Sequence, residues 1–323
     1  MAHEFPVLPF RSRLYTPDEL FTGFRADDPL SYGTTLDLLA YRSTRPTPSR
    51  DVGMLRALHD QCITTARDEL LAGRRVVAIM GGHRLDRTDL AYAEVVELGA
   101  TLAARGDLVV SGGGPGAMEA THLGALLAHA GSGARRTALD HLASAPTFPT
   151  DTAALVGPDG EVDTAVLRAV HAWQRPAFEV LETVAPADRG QSLAVPTWFY
   201  GHEPPTPFAT HLAKYFSNSL REDGLLAVAG DGIVFAPGWS GTLQEVFQDA
   251  NQNFYRVFHD RFSPMAFLDT DGAWTERFPV LPLLRTLFDD ADFDRYVHCS
   301  RDIGDIEAFL AGFPTQHPPP GGS

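Results

Sequence analysis

Three stretches of this 323-residue chain place glycines where a backbone could approach a charged ligand. Gly81-Gly82 follows an apolar run and stands just before Arg84; Ser111-Gly112-Gly113-Gly114-Pro115-Gly116 follows a second run; Pro237-Gly238-Trp239-Ser240-Gly241-Thr242 follows a third. Missing side chains open the turn, and the first N–H groups of a following helix can donate to a phosphate. A turn that only packs helix against strand would look the same at Gly112 to Gly116, so both readings stand there. Gly112, Gly114 and Ala117 also fit a loose GxGxxA dinucleotide pattern, but after the second strand instead of the first. Glu245 comes three residues after Thr242, in the first turn of the expected helix, where the helix dipole favours a carboxylate. It also belongs to a polar stripe with Gln248, Asp249 and Gln252, and taken alone a solvated face is the simpler reading. A helix over 207–222 would bury Phe208, Leu212, Phe216 and Leu220 and align His211, Lys214, Asn218 and Arg221 on another face. Four donors without a carboxylate suit an anionic ligand as well as they suit solvent. Lys214 is the only lysine.

The elements that must position these residues follow from the spacing of apolar residues. Val76 to Met80, Leu108 to Val110, Leu193 to Val195 and Ile233 to Ala236 are short continuous apolar runs, the pattern of strands buried on both faces. Met265 to Leu268 and Tyr296 to His298 are further strand candidates. Helices are expected over 54–71, over 89–105 with Thr88 as cap and Gly106 as stop, over 117–130, over 165–181, and after Thr242. Thr206-Pro207 would start the helix over 207–222, with Thr as N-cap and Pro at the first position. Strands alternating with helices give an α/β fold, a mostly parallel sheet with helices on both faces. Residues 1–72 form an N-terminal extension whose first 48 or so residues show no sustained period, residues 73–312 the main domain with an insertion at about 132–189, and 313–323 a flexible tail.

Composition narrows the function. Forty-one acidic against 26 basic residues leave a net charge of −15, which repels nucleic acid and anionic membranes and leaves a small-molecule ligand as the partner. Cys62 and Cys299 form no CxxC pair, and there is neither an HExxH nor a Walker A motif, so no metal and no resident cofactor is expected. The amino terminus carries no leader-like segment and no run of about 18 apolar residues occurs, so a soluble cytoplasmic chain is expected.

Two of the turns resemble a known family. Ser111 to Ala120 is similar to the GGG-containing phosphate turn of the LOG (Lonely Guy) family, whose members were often misnamed lysine decarboxylases. Pro237-Gly238-Trp239-Ser240-Gly241-Thr242-Leu243-Gln244-Glu245 is similar to its PGGxGTxxE signature, in the expected order, and the likeness spans about 75–269. The resemblance implies a Rossmann-like, doubly wound fold, a homodimer, and cleavage of the N-glycosidic bond of a nucleoside 5′-monophosphate to free base and ribose 5-phosphate. It implies Glu245 as the catalytic carboxylate and Arg221 as its assistant. It also implies Gly241 and Thr242 as phosphate ligands and Gly113, Gly114 and Gly116 near the nucleotide; Gly112, Gly238, Trp239 and Ser240 of the same turns, Gly82 and Arg84 at the first turn, and Lys214 and Asn218 of the donor stripe are expected as further contacts from their own positions. Trp239 replaces the second glycine of PGG, and its bulk either fills ligand space or offers a base a stacking surface. A binding module of the same fold that does not turn its ligand over is the rival reading. A dehydrogenase-like dinucleotide binder is a third and lacks the first-strand fingerprint.

Overall fold

The computed structural model describes residues 5–257 and 262–315. The expected disordered end, Pro318 to Ser323, lies outside them. Seven strands form one sheet: β1 Val76–Met80, β2 Leu108–Ser111, β3 Ser192–Ala194, β4 His211–Leu212, β5 Ile233–Phe235, β6 Met265–Leu268 and β7 Val297–Ser300. Their order is β4-β3-β2-β1-β5-β6-β7, and every pairing is parallel. Chain order therefore reverses direction between β1 and β5, and the crevice beyond the carboxyl ends of these two strands is where such sheets bind ligands.

Twelve helices accompany the described strands: α1 Pro17–Leu20, α2 Leu36–Thr44, α3 Arg50–Leu71, α4 Leu90–Ala104, α5 Ala117–Leu126, α6 Ser132–Leu142, α7 Thr164–Glu182, α8 Asn218–Ala227, α9 Ser240–Tyr255, α10 Leu281–Leu287, α11 Asp290–Tyr296 and α12 Ile303–Ala311. Alternation along β1 explains why both faces of the sheet need cover. Val77 and Ile79 enter one core with residues of α4, α5, α7 and α12; Val76, Ala78 and Met80 enter the other with residues of α3, α8 and α9. The second core also takes Tyr15, Leu20, Tyr32, Leu38 and Tyr41 from the N-terminal segment.

The helix expected over 207–222 is absent. Residues up to Ser217 run largely extended and α8 begins only at Asn218. Pairing in the tertiary structure overrides the local helical spacing here: Leu193 and Ala194 of β3 pair with His211 and Leu212, and Tyr15 exchanges backbone hydrogen bonds with Leu212 at 2.9 and 3.0 Å from the other side. Smaller corrections follow the same lines. The N-cap of α4 is Asp89, not Thr88; α5 stops at Leu126; residues 132–189 hold two helices, α6 and α7, where one was expected. Arg87 ties this segment to α5, with a bidentate bond to Glu119 (2.7 and 2.8 Å) and one terminal nitrogen donating to the carbonyls of Ala145 and Trp173 (3.1 and 2.9 Å).

Candidate functional site

The turns that leave β1, β2 and β5 meet at the switch point. Gly82 N–H donates to the Pro237 carbonyl (3.0 Å) while the Gly82 carbonyl accepts from Ala117 N–H (3.0 Å), so one backbone stitches all three turns together. The approach is possible only without side chains. A Cβ at Gly81 would stand 2.6 Å from that of Ala117, and Gly116 has φ +69°, a left-handed conformation that suits glycine. At Gly113 (φ +77°) a Cβ would meet Ala194 at 2.6 Å, and its carbonyl accepts from Thr206 N–H at 2.8 Å.

Above these turns lies a cleft of about 570 Å3. Of the residues nominated from the sequence, Gly82, Arg84, Arg221, Trp239, Ser240, Gly241, Thr242 and Glu245 line it. Gly112, Gly113, Gly114, Gly116 and Gly238 do not; they sit beneath or behind it and let other groups pack. Gly112 leaves space for the Arg221 guanidinium and Met118, Gly114 for Met118, and Gly238 for the Thr242 side chain. Lys214 is also elsewhere. It is fully buried against Asp37, whose carboxylate further accepts from Tyr32 Oη (3.0 Å) and Trp198 Nε1 (3.1 Å). Burial pulls the Lys214 pKa down against the attraction of Asp37. Asn218 spends its amide on Glu222 at 2.8 Å.

Helix α9 supplies the upper wall. Its first internal bond runs from Leu243 N–H to the Trp239 carbonyl (2.9 Å), so the N–H groups of Ser240, Gly241 and Thr242 have no acceptor within the helix. Because α9 starts at Ser240, Glu245 is in its second turn, not its first, and the dipole acts on it less than the sequence suggested. Its side chain keeps some contact with solvent, yet protein is packed so densely around the carboxyl that desolvation pushes its pKa up to about 7. Arg221 opposes that shift and Glu222 adds to it. One turn further, Asp249 is buried with Oδ2 unpartnered, and burial raises its pKa well above the carboxylate range.

Arg221 is anchored through one nitrogen only. Nε donates to the Val195 carbonyl at 2.9 Å, and no protein acceptor among the described residues takes its terminal N–H groups. It lines the same cleft as Glu245 without pairing with it. Trp239 has φ −122°, outside the left-handed region that favours glycine, so the turn does not need the glycine it lacks. The indole is 59% exposed at the rim and meets Phe278 edge to face, with centroids 5.6 Å apart. It lines the cleft without filling it.

Gly81 of the first turn lines it as well, and His83, Met118, Tyr200, Glu203, Glu222, Gln244 and Gln248, none of them nominated from the sequence, complete the lining. The signal for Tyr200 and Glu203 was their place in the loop beyond β3, the same position in the fold that marks the glycine turns. His202, beside them, has its pKa lowered by burial, with Arg45 and His83 acting in the same direction and Glu203 against it. A second depression of similar size, about 590 Å3 beside α6 and α7, is lined mostly by apolar groups and includes none of the three turns.

No family model matches the chain, and no curated protein matches it. Among solved structures it is similar to the structural-genomics target TM1055, at 16% identity and TM-score 0.42, over 74% of this chain and 99% of the other. It is similar to a molybdenum cofactor binding protein from the phototrophic bacterium Rippkaea orientalis, at 12% identity and TM-score 0.40, over 74% and 96%. The molybdenum cofactor carrier protein of Chlamydomonas reinhardtii gives 15% identity and TM-score 0.41, over 74% and 99%.

Proposed function

We propose that the chain binds a nucleoside 5′-monophosphate in this cleft and hydrolyses its N-glycosidic bond. The observation that carries the reading is an unpaired opposition: Glu245 and Arg221 line one cleft, the terminal guanidinium donors are unclaimed, and no ion pair closes the space between them. A phosphate fits the free N–H groups of Ser240, Gly241 and Thr242 at the start of α9. Arg221 then holds a phosphate oxygen or a ribose hydroxyl. As the bond to the base lengthens, C1′ of the ribose gains positive charge. An ionised Glu245 stabilises that charge and orients the water whose oxygen bonds to C1′, while the base leaves with a proton. Trp239 and Tyr200 at the rim supply flat surfaces for the base.

The ionised form of Glu245 is the working one, so activity should rise with pH through about 7, where its carboxyl titrates. The deciding assay incubates the purified chain with a panel of nucleoside 5′-monophosphates and follows free base by chromatography. Glu245→Gln should abolish base release while leaving affinity nearly unchanged; release that survives the substitution removes Glu245 from the mechanism. A second reading, binding without turnover, is favoured by one feature, the indole of Trp239 in place of a glycine at the mouth. Saturable binding of a panel member with no base released by the wild-type chain would establish it. The proposal includes a homodimer, which light scattering on the eluted chain would test.

A further inference from the structure

A cavity of about 450 Å3 lies between the end of α2 and the start of α3, on the N-terminal segment and apart from the cleft. Two arginines, Arg42 and Arg56, line it. Arg42 Nε donates to the Gly160 carbonyl (2.9 Å), and one terminal nitrogen of Arg56 donates to the Ser43 carbonyl (2.7 Å). Those are neutral acceptors. In a chain of net charge −15, neither guanidinium has a carboxylate partner among the described residues, and Arg56 Nε is buried with no acceptor at all. Asp159, the acidic residue on the wall, accepts the Glu161 N–H (3.0 Å) and pairs with neither arginine. Burial lowers the Arg56 pKa against the attraction of Asp60, and the guanidinium lies over the Phe216 ring at 5.3 Å. Thr47 and Ser49 add hydroxyls at the amino end of α3, a helix of 22 residues. Leu39, Val52 and three prolines give the cavity apolar walls.

We propose that this cavity is a second anion site, which takes the phosphate group of a small phosphomonoester. Two forked donors that line one cavity, are anchored to neutral carbonyls and form no salt bridge among the described residues suit an anion. The volume falls within the roughly 300–1,000 Å3 range of small-molecule pockets, and the apolar walls suit an organic group attached to the phosphate. The site is independent of the cleft chemistry above.

The test follows the Nε–Hε resonances of Arg42 and Arg56 in the full chain while phenyl phosphate, inorganic phosphate or sodium chloride of matched ionic strength is added. Both resonances should move saturably with phenyl phosphate and more weakly with inorganic phosphate. Arg42→Gln and Arg56→Gln should each weaken binding about tenfold, the loss expected for one charge-assisted hydrogen bond. Arg221→Gln should leave the titration unchanged. Resonances that stay still at millimolar phenyl phosphate, or that move equally with sodium chloride, overturn the proposal. Equal affinity for inorganic phosphate overturns its organic part and assigns the site to the free ion. Since the resonances are read in the wild-type chain, a variant that fails to fold does not rescue the idea.

Discussion

The carboxyl of Glu245 titrates near 7 in the folded chain against a reference of 4.5, so the folded state keeps a proton that the unfolded chain has already lost. Stability is therefore lost as pH rises through that interval, and the cost is complete above it. Glu245→Gln should be more stable than wild type at about pH 8, by on the order of 1–3 kcal/mol, and equal to it at about pH 4, as read by urea unfolding. A variant no more stable at high pH would mean that the carboxyl is solvated after all. Trp239 behaves in the opposite way because it is largely exposed. Trp239→Ala should change stability by no more than about 0.5 kcal/mol. If its ring stacks on a base, the same change should weaken binding of a nucleoside monophosphate while sparing ribose 5-phosphate; equal losses for both ligands would place the ring away from the base.

Among the elements, the segment between β3 and α8 departs most from its sequence pattern. Its spacing of apolar residues is helical, yet β3 and Tyr15 claim its backbone from two sides, and Lys214 is carried into the core beside Asp37. Lys214→Met leaves a buried carboxylate uncompensated and should cost about 3–5 kcal/mol in thermal or urea unfolding. Pairing it with Asp37→Leu should recover much of that loss; a double variant as unstable as the single one would show that packing, not charge, is what the pair supplies. The remaining elements were legible because each carries its own signal. Continuous runs such as Val76 to Met80 can be buried only on both faces, and all six strands expected from such runs occur within a residue or two at their ends. β4 escaped because two residues hold too little local information to mark a strand.

Across the whole molecule, pH acts on stability from two sides. His122 is fully buried, with Nδ1 on Ser192 Oγ (2.9 Å) and Nε2 unpartnered, and desolvation lowers its pKa from 6.5 to about 3. The unfolded chain takes up that proton first, so this contribution is present above 6.5 and is lost as pH falls toward 3, opposite in sign to that of Glu245. His122→Gln should flatten the dependence of the unfolding midpoint on pH between about 4 and 6.5; an unchanged slope would clear His122 of the acid sensitivity. The sequence by itself determined the α/β class, the order of the main strands and helices, and the three turns around which the cleft is built. Glycine runs and apolar periodicity are local properties that a chain displays wherever it folds. Only the tertiary structure decided which nominated residues face the cleft, since that depends on contacts between distant segments. Gly112 makes room for Arg221, Lys214 turns inward to Asp37, and Trp239 swings out to Phe278. Each outcome was set by a partner more than 30 residues away, beyond the reach of any local pattern.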